Sequence, residues 1–362
     1  MVSGSKPPIR VLIVEDSPAC QELLIAIFQN SADFEVVGIA RNGQEGLRLA
    51  KRLVPDVITM DIFMPQMDGY QATQQIMEQS PCPIVMVTNR LNQGENQLTF
   101  NALQAGAVSI IDKPTLPNLA DSAPQLLQQV RLMAELHVIR RRPKQAKIPA
   151  LPPSINRLSE AEKTAVSTQP HPAIKAIAMA ASTGGPTALA HILGQLPANL
   201  PAPIFVVQHI TTGFETGFAK WLNSKTALTV RLAQDQHIPQ AGEVWLAPEG
   251  YYLIIDQRGH LSLKKSIIGT GPNLAADQLF SSVAQVYGRK AIGVILTGMG
   301  GDGALGLQAM HHAGAYTIAQ NEESSVVFGM PAVAIQLGAV SQVQPLNHIA
   351  NAIIKLMWVA PY

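Results

Sequence analysis

The segment IRVLIVEDSPACQELLIAIFQN, residues 9–30, joins a six-residue β-branched run to a longer amphipathic stretch through a short acidic turn. The first part has the length and composition of a buried strand, and the second carries apolar residues near helical spacing. The same alternation recurs up to about residue 130. Further strands are expected in FEVVGIA, DVITM, PIVMVT and AVSII, and further helices in GQEGLRLAKRL, DGYQATQQIMEQ and NQLTFNALQAG. Alternating βα units of this kind predict a five-stranded parallel (βα)5 domain.

A compositional break separates this region from the rest of the chain. Residues 131–172 include RRRPKQAKIPALPPSINRLSEAEKTAVSTQPHP, which is rich in proline, serine and charge and therefore predicts a linker. A second α/β rhythm follows, with strands expected in IKAIAMA, PIFVVQ, EVWLAP, YLIID, AIGVILT, AYTIAQ and AVSQV. The sequence thus predicts two α/β domains, at residues 8–130 and 173–362, the second with a doubly wound, mostly parallel sheet.

The composition narrows the class of protein. The chain has 362 residues and a formal net charge of +1, which gives no reason to expect nucleic acid or an anionic membrane as a partner. The basic residues at 140–147 are explained more simply as solvated linker charge. The chain has only two cysteines, Cys20 and Cys82, and they lack the spacing of metal ligands. So few cysteines, without a disulfide framework, are typical of a reducing compartment. With no apolar leader and no run of about 20 apolar residues, we expect a cytoplasmic protein without membrane insertion.

Polar side chains follow four predicted strands of the first domain. They are Glu15, Asp16, Asp61, Thr88 and Lys113. Because the carboxyl ends of parallel strands share one edge of a sheet, these groups can converge there. Clustered carboxylates suit Mg²⁺, and a nearby lysine suits a phosphoryl group, so Asp61 is a candidate for covalent phosphorylation. Each residue taken alone could instead be an ordinary loop residue.

The motifs VEDS, TMDIFMPQMDG, MVTN and DKP, in this order and spacing, resemble the receiver domains of two-component response regulators. The resemblance implies that a histidine kinase phosphorylates Asp61. It also implies that Glu15 and Asp16 hold Mg²⁺ together with Asp61, and that Thr88 and Lys113 contact the phosphoryl oxygens.

Ser182 lies in AMAASTGGPTAL, residues 178–189, at the junction of a predicted strand and a predicted helix. Three roles are open for it: a helix N-cap, one wall of an anion-binding loop, or an attacking nucleophile. The loop lacks the GK[ST] and GxGxxG patterns, so a nucleotide site is not expected. A nucleophilic serine needs a base within hydrogen-bond reach and an acid that orients the base.

Two further residues follow strands at the same predicted sheet edge. His209 comes directly after PIFVVQ, and Asp302 lies among turn glycines in GVILTGMGGDGALGLQAM, residues 293–310. The alternatives are a surface histidine and a simple N-cap for the helix that follows Asp302. The order serine, histidine, aspartate and the absence of GxSxG exclude a standard α/β-hydrolase, and no HExxH metal motif occurs.

The motifs ASTGGP, QHITTGF, VWLAP, GVILTGMGGDGALGL and AQNEESSVVFGMPAVAI together resemble the catalytic domain of the chemotaxis protein-glutamate methylesterases. The resemblance makes Ser182 the nucleophile, His209 its general base and Asp302 the group that orients the imidazole. Backbone amides at Thr183 and Met299 become candidates for the oxyanion hole. The implied substrates are glutamate γ-methyl esters, and some glutamines, on the cytoplasmic helices of methyl-accepting chemoreceptors. This ester chemistry implies no cofactor, so Mg²⁺ is expected only in the receiver.

A receiver joined to such a domain implies a phosphorylation-activated hydrolase, in which the receiver packs across the cleft until Asp61 is phosphorylated. The alternative is a receiver-coupled module that docks on receptors or drains phosphate from the kinase without hydrolysis. A DNA-binding regulator is not favoured, because no basic recognition helix is present.

Three departures from the family patterns bear on these expectations. Ile110 stands where receivers carry an aromatic switch residue, and an aliphatic side chain cannot swing a ring. Ala180 replaces a glycine two residues before the serine. Residues 269–280 match the family loosely, with Asp277 and Phe280 aligned to its aspartate and phenylalanine.

Overall fold

The computed structural model describes residues 7–88, 107, 109–134, 173–210, 213–266 and 274–358. The predicted helix NQLTFNALQAG and the predicted linker beyond residue 134 lie outside this range. Within it, no helix combines the length and the apolar character that a membrane crossing requires. The domain boundaries at residues 130 and 172 stay predictions.

The N-terminal domain contains a five-stranded sheet, all of it parallel, in the order β2-β1-β3-β4-β5. Its strands are β1 (Ile9–Val14), β2 (Phe34–Ala40), β3 (Val57–Met60), β4 (Ile84–Thr88) and β5 (Ser109–Asp112). Its helices are α1 (Pro18–Gln29), α2 (Gly43–Leu53), α3 (Gly69–Gln79) and α4 (Leu119–Ala134), with a short 3₁₀ turn at Leu116–Asn118. The predicted five-stranded parallel sheet is confirmed.

Both faces of this sheet are buried, which explains why its strands read as continuous apolar runs. In β1, Leu12 and Val14 join a core with residues of α2 and α3, whereas Val11 and Ile13 join a second core with residues of α1 and α4. Helix α2 begins after Asn42, whose side chain accepts a hydrogen bond from Glu45 N at 2.9 Å. The sequence signals for this helix are therefore local, and its predicted bounds agree with the structure.

The C-terminal domain is built on seven strands and a separate hairpin. The sheet strands are β6 (Ala176–Ala181), β7 (Ile204–Gln208), β8 (Thr229–Leu232), β9 (Glu243–Leu246), β12 (Ala291–Ile295), β13 (Tyr316–Gln320) and β14 (Gln342–Gln344). The hairpin strands are β10 (Tyr251–Ile255) and β11 (Leu261–Lys265). The helices are α5 (Gly185–Leu193), α6 (Glu215–Asn223), α7 (Ala275–Tyr287), α8 (Ala304–His312), α9 (Met330–Gln336) and α10 (Leu346–Trp358), with a 3₁₀ turn at Gly288–Lys290.

The seven-stranded sheet is parallel throughout, in the order β14-β13-β12-β6-β7-β9-β8. Alternate residues of β6 face two different cores: Ile177 and Met179 join residues of α5, α6 and α10, whereas Ala178 and Ala180 join residues of α7, α8 and α9. Helices therefore cover both faces, which confirms the doubly wound architecture. The predicted strand YLIID lies in the antiparallel hairpin rather than in this sheet, and the sequence did not predict β8 or β11.

Candidate active site

The strand order of the C-terminal sheet reverses beside β6, because β7 lies on one side of it and β12 on the other. Ser182 follows β6, His209 follows β7, and Asp302 lies in the turn after β12. In open α/β sheets the crevice at such a reversal is the usual place for a ligand. Main-chain bonds join these strand ends: Ser182 N donates to Thr297 O, and His209 N donates to Ala181 O, each at 3.0 Å.

Ser182 does not act as the N-cap of the helix that follows it. Helix α5 begins at Gly185, and Gly184 occupies the N-cap position with φ 78°, a left-handed conformation that favours glycine. A Cβ atom at Gly184 would also lie 2.6 Å from the side chain of Val326. Ser182 Oγ forms no hydrogen bond with any residue that the structure describes. The hydroxyl is half-buried and free for chemistry, so the N-cap alternative does not apply.

The imidazole of His209 pairs with the carboxylate of Asp302. His209 Nε2 lies 2.8 Å from Asp302 Oδ2, and the two side chains are 22% and 7% exposed. The carboxylate also accepts Ala276 N on Oδ2 and Asp277 N on Oδ1, both at 3.0 Å. These amides belong to the first turn of α7, where orphan N–H groups and the helix dipole stabilise negative charge. Asp302 is thus held in place by three donors.

Asp277, in α7, forms the corresponding bond to the start of α8. Asp277 accepts Gly306 N at 2.7 Å, within the first turn of α8. Asp302 directly precedes α8, whose N-cap residue is Gly303, so each helix start is bonded by a carboxylate attached to the other helix. Burial raises the pKa of Asp277, and the nearby charge of Asp302 raises it further. The alternative that Asp302 is only the N-cap of its own helix does not apply, because its carboxylate bonds to the first turn of α7.

The two candidate amides for an oxyanion hole, those of Thr183 and Met299, belong to segments that lie close to Ser182. Thr183 follows the serine directly, and Met299 lies in the turn after β12, where a Cβ atom on the neighbouring Gly298 would come within 2.8 Å of Ser182 Cβ. Neither Thr183 N nor Met299 N donates to another residue among those described. An oxyanion hole requires amides that are free to donate, so both stay candidates for that role.

The polar residues at the edge of the N-terminal sheet also converge. Lys113 Nζ lies 2.7 Å from Asp61 Oδ2 and 2.8 Å from Glu15 Oε2, and all three side chains are buried. Burial raises the pKa of Asp61 and of Glu15, although Lys113 opposes the shift in both. Burial alone would lower the pKa of Lys113, but the two carboxylates outweigh it and the pKa is raised. The lysine therefore stays positively charged between two acids.

The donor chemistry of this cluster fits a cation. Carboxylate oxygens of Glu15, Asp16 and Asp61 all lie within 4.8 Å of one another, and Asp16 is exposed to solvent. Oxygen ligands at this spacing fit Mg²⁺. Thr88 Oγ1 is buried without a hydrogen-bond partner among the described residues. Buried hydroxyls are normally hydrogen-bonded, so this one is available to a ligand oxygen.

Comparison with known proteins gives a consistent family assignment. Residues 177–353 match the model of the CheB methylesterase family, and residues 11–123 match that of the response regulator receiver domain. A protein-glutamate methylesterase/protein-glutamine glutaminase of Syntrophus aciditrophicus is 41% identical over 96% of this chain and 98% of its own length. The chain belongs to the CheB methylesterase family.

Two further similarities were found. A relative of the same description from Nitrosospira multiformis is 40% identical over 96% of this chain and 97% of its own length. The crystal structure of the Thermotoga maritima CheB methylesterase catalytic domain is 38% identical and covers 51% of this chain and 99% of its own, with a TM-score of 0.48.

The family departures noted in the sequence have ordinary structural settings. Ile110 lies in β5 beside Met86 of β4, half-buried against the apolar core. Ala180 is fully buried within β6, in the same apolar core as Phe280 of α7. Phe280 packs below the Asp302 turn, since a Cβ atom on Gly303 would lie 3.2 Å from its ring. Of the loosely matching segment 269–280, residues 269–273 lie outside the described part of this CheB-family chain.

Three residues that support the site were not found from the sequence. Thr297 is buried, receives Ser182 N on its carbonyl, and donates its hydroxyl to Thr183 O at 2.9 Å. Gln320 accepts Thr297 N at 2.9 Å. Gln208 donates to the carbonyls of both Ser182 and His209. The only sequence signal for these residues is their position at the end of a strand.

Proposed function

We propose that this protein hydrolyses γ-methyl esters of glutamate side chains on chemoreceptors, releasing methanol, and that it deamidates receptor glutamines by the same steps. The observation that carries the proposal is the pair of His209 and Asp302 beside an unengaged Ser182 at the reversal of the sheet. A serine hydroxyl with a base and an oriented acid is the constellation of acyl transfer. The CheB family of the chain supports the choice of substrate.

The hydrogen bond between His209 and Asp302 supports different roles for the two imidazole nitrogens. Because Nε2 of His209 donates to Asp302, Nδ1 is the nitrogen left to receive the proton of Ser182 Oγ. As Oγ bonds to the ester carbonyl carbon, the carbonyl oxygen becomes negative. The amides of Thr183 and Met299 then stabilise this oxyanion, and one such donor is typically worth about 3 kcal/mol.

Each later step returns a proton from the same nitrogen. The tetrahedral species collapses, the carbon–oxygen bond to the methoxy group breaks, and His209 Nδ1 gives its proton so that methanol leaves. Water then attacks the acyl-serine, losing its proton to Nδ1, and the glutamate carboxyl group leaves as Ser182 recovers its hydroxyl proton. With a glutamine substrate, ammonia leaves in the place of methanol.

In the receiver, Glu15, Asp16 and Asp61 would hold Mg²⁺, and Asp61 would accept a phosphoryl group from a histidine kinase. The bound ion would offset phosphoryl charge. Lys113 would contact the phosphoryl oxygens, and so would the hydroxyl of Thr88, which has no hydrogen-bond partner among the described residues. Phosphorylation would weaken the receiver's hold on the catalytic domain and open the cleft that contains Ser182.

Packing between the two parts of the chain supports this regulation. Val326 and Val327 pack against the receiver core that includes residues of β1, α1 and α4. Val326 also lies against Gly184 at the start of α5, and Val327 N donates to Thr297 Oγ1 at 2.9 Å. Displacing the receiver would therefore change contacts two residues from Ser182. A shift from 1:99 to 99:1 open takes about 5.5 kcal/mol.

The proposal is tested by methanol release from methylated receptor membranes, with and without acetyl phosphate as phosphodonor. We expect acetyl phosphate to stimulate the native protein, Asp61→Asn to abolish the stimulation, and Ser182→Ala to abolish the release. Labelling by a fluorophosphonate probe should depend on Ser182. Full methanol release by Ser182→Ala would refute the esterase mechanism, and a native protein that binds receptors without release would establish the docking module instead.

A further inference from the structure

The side chain of Gln208 joins the two loops that carry the nucleophile and the base. Its Nε2 atom donates one hydrogen bond to Ser182 O and another to His209 O, each at 2.8 Å. Both acceptors are main-chain carbonyls of residues in the proposed catalytic site. We infer that Gln208 is a positioning residue, which sets the separation of Ser182 and His209 through these two bonds. The inference rests on the proposed function, because it concerns the same site.

The need for such a tie follows from the end of the sheet. Ala181 and Gln208 form the last register pair of β6 and β7, and His209 N to Ala181 O is the last main-chain bond between those strand ends. Beyond it, the segment after β6 leads to α5 and the segment after β7 leads to α6. The amide group of Gln208 adds a bond to each loop at the point where the main-chain ladder stops.

The orientation of the amide group is fixed by its surroundings. An oxygen in the place of Nε2 would face two carbonyl oxygens, so only the NH₂ group can occupy that position. Oε1 then points toward the start of α5, where a Cβ atom on Gly185 would lie 2.0 Å from it. Gly185 leaves the space that this rotamer requires.

The oxygen atom of the Gln208 amide group indicates why a glutamine occupies this position. Gln208 Oε1 is buried and accepts no hydrogen bond from the described residues. A buried acceptor without a donor is unfavourable, and a methionine of similar length would avoid that cost. The benefit of glutamine at this position therefore lies in its two donors.

This arrangement has a kinetic consequence. Proton transfer from a hydroxyl to an imidazole depends steeply on the distance and angle between them, whereas docking of a large protein substrate depends on surfaces elsewhere. Losing the two bonds of Gln208 should reduce kcat and leave KM nearly unchanged, which separates a positioning role from a contact with substrate.

The test compares Gln208→Met and Gln208→Glu with the native full-length protein, all with acetyl phosphate. Met removes both donors and keeps the chain length, and Glu keeps the shape but turns an oxygen toward the carbonyls. We expect kcat for methanol release and the rate constant of fluorophosphonate labelling to fall at least tenfold in both variants, with KM within twofold. Gln195→Met is the matched control, because Gln195 is an exposed glutamine that donates one bond to His191 O.

The endpoint of labelling separates the inference from a loss of folded protein. If Gln208 only stabilised the fold, the variants would label a smaller fraction of the molecules at the native rate, and kcat per labelled site would be unchanged. That result, or a native rate in Gln208→Met, overturns the inference while the proposed function stands. A native protein that labels at no serine and releases no methanol overturns the proposed function and this inference with it.

Discussion

Replacing Asp302 by asparagine should slow ester hydrolysis about 100-fold or more. Asp302 Oδ2 accepts both His209 Nε2 and Ala276 N, whereas among the described residues Oδ1 accepts only Asp277 N. An asparagine can place its NH₂ group at the Oδ1 position, where it would lose only the hydrogen bond from Asp277 N. His209 then keeps its Nε2 proton and its catalytic tautomer, and only the negative charge is lost.

The magnitude follows from the charge that forms on the imidazole. Two unit charges 2.8 Å apart interact by about 6 kcal/mol at an effective dielectric constant of about 20. The imidazole is 22% exposed, so solvent screens part of this energy. Taking about half, near 3 kcal/mol, gives a loss in kcat of about 100-fold. If the NH₂ group faced His209 instead, the wrong tautomer would form and the loss would approach about 10⁴-fold.

The assay is methanol release from methylated receptor membranes by the full-length protein in acetyl phosphate. Asp256→Asn is the matched control, because Asp256 also accepts two backbone amides, those of Arg258 and His260, in the turn between β10 and β11. A kcat for Asp302→Asn within threefold of the native value would show that the carboxylate does not support the imidazole, and the reasoning would fail.

Three further outcomes are expected. Chelation of Mg²⁺ by EDTA should remove stimulation by acetyl phosphate and leave basal methanol release unchanged; stimulation that survives EDTA would contradict the cation site. Val54 is an exposed β-branched residue with φ 46° after α2, so Val54→Asn should raise the free energy of unfolding of the receiver by about 1 kcal/mol in urea titrations, and an unchanged midpoint would contradict this. Burial raises the pKa of Asp277 above its ordinary 3.8, so the folded protein binds that proton more tightly than the unfolded chain and stability falls as pH rises through the raised pKa. Asp277→Asn should remove this fall, so its Tm relative to the native protein should increase as the pH rises above the ordinary pKa of 3.8, and a difference constant with pH would contradict the assignment.

The receiver fold could be predicted from the sequence because its signals are local. Strands buried on both faces appear as continuous apolar runs, and a helix such as α2 carries its own N-cap residue. The strands that were not predicted lack those features. β8 is a four-residue edge strand with two exposed side chains, and β11 ends in two lysines. Edge and hairpin strands have few buried positions from which a pattern can arise.

The candidate site was predictable for a topological reason. In a parallel sheet all strands end at one edge, so Ser182, His209 and Asp302 could be brought together from strand positions alone. The supporting bonds could not be foreseen. Gln208 acts on main-chain carbonyls, and such contacts impose no spacing on the sequence. That the Asp302 carboxylate bonds the start of α7 rather than of α8 depends on how the two helices pack.

Asp302 bonds to the start of α7, and Asp277 bonds to the start of α8. Because of this exchange, the site can be active only in a chain that has folded fully. Neither helix start is satisfied until the other has docked, and the imidazole gains its acidic partner only in that same event. A chain that has formed its secondary structure but has not joined these two segments would therefore be inert toward esters. Newly synthesised or damaged molecules in that state would be inactive and would not demethylate receptors.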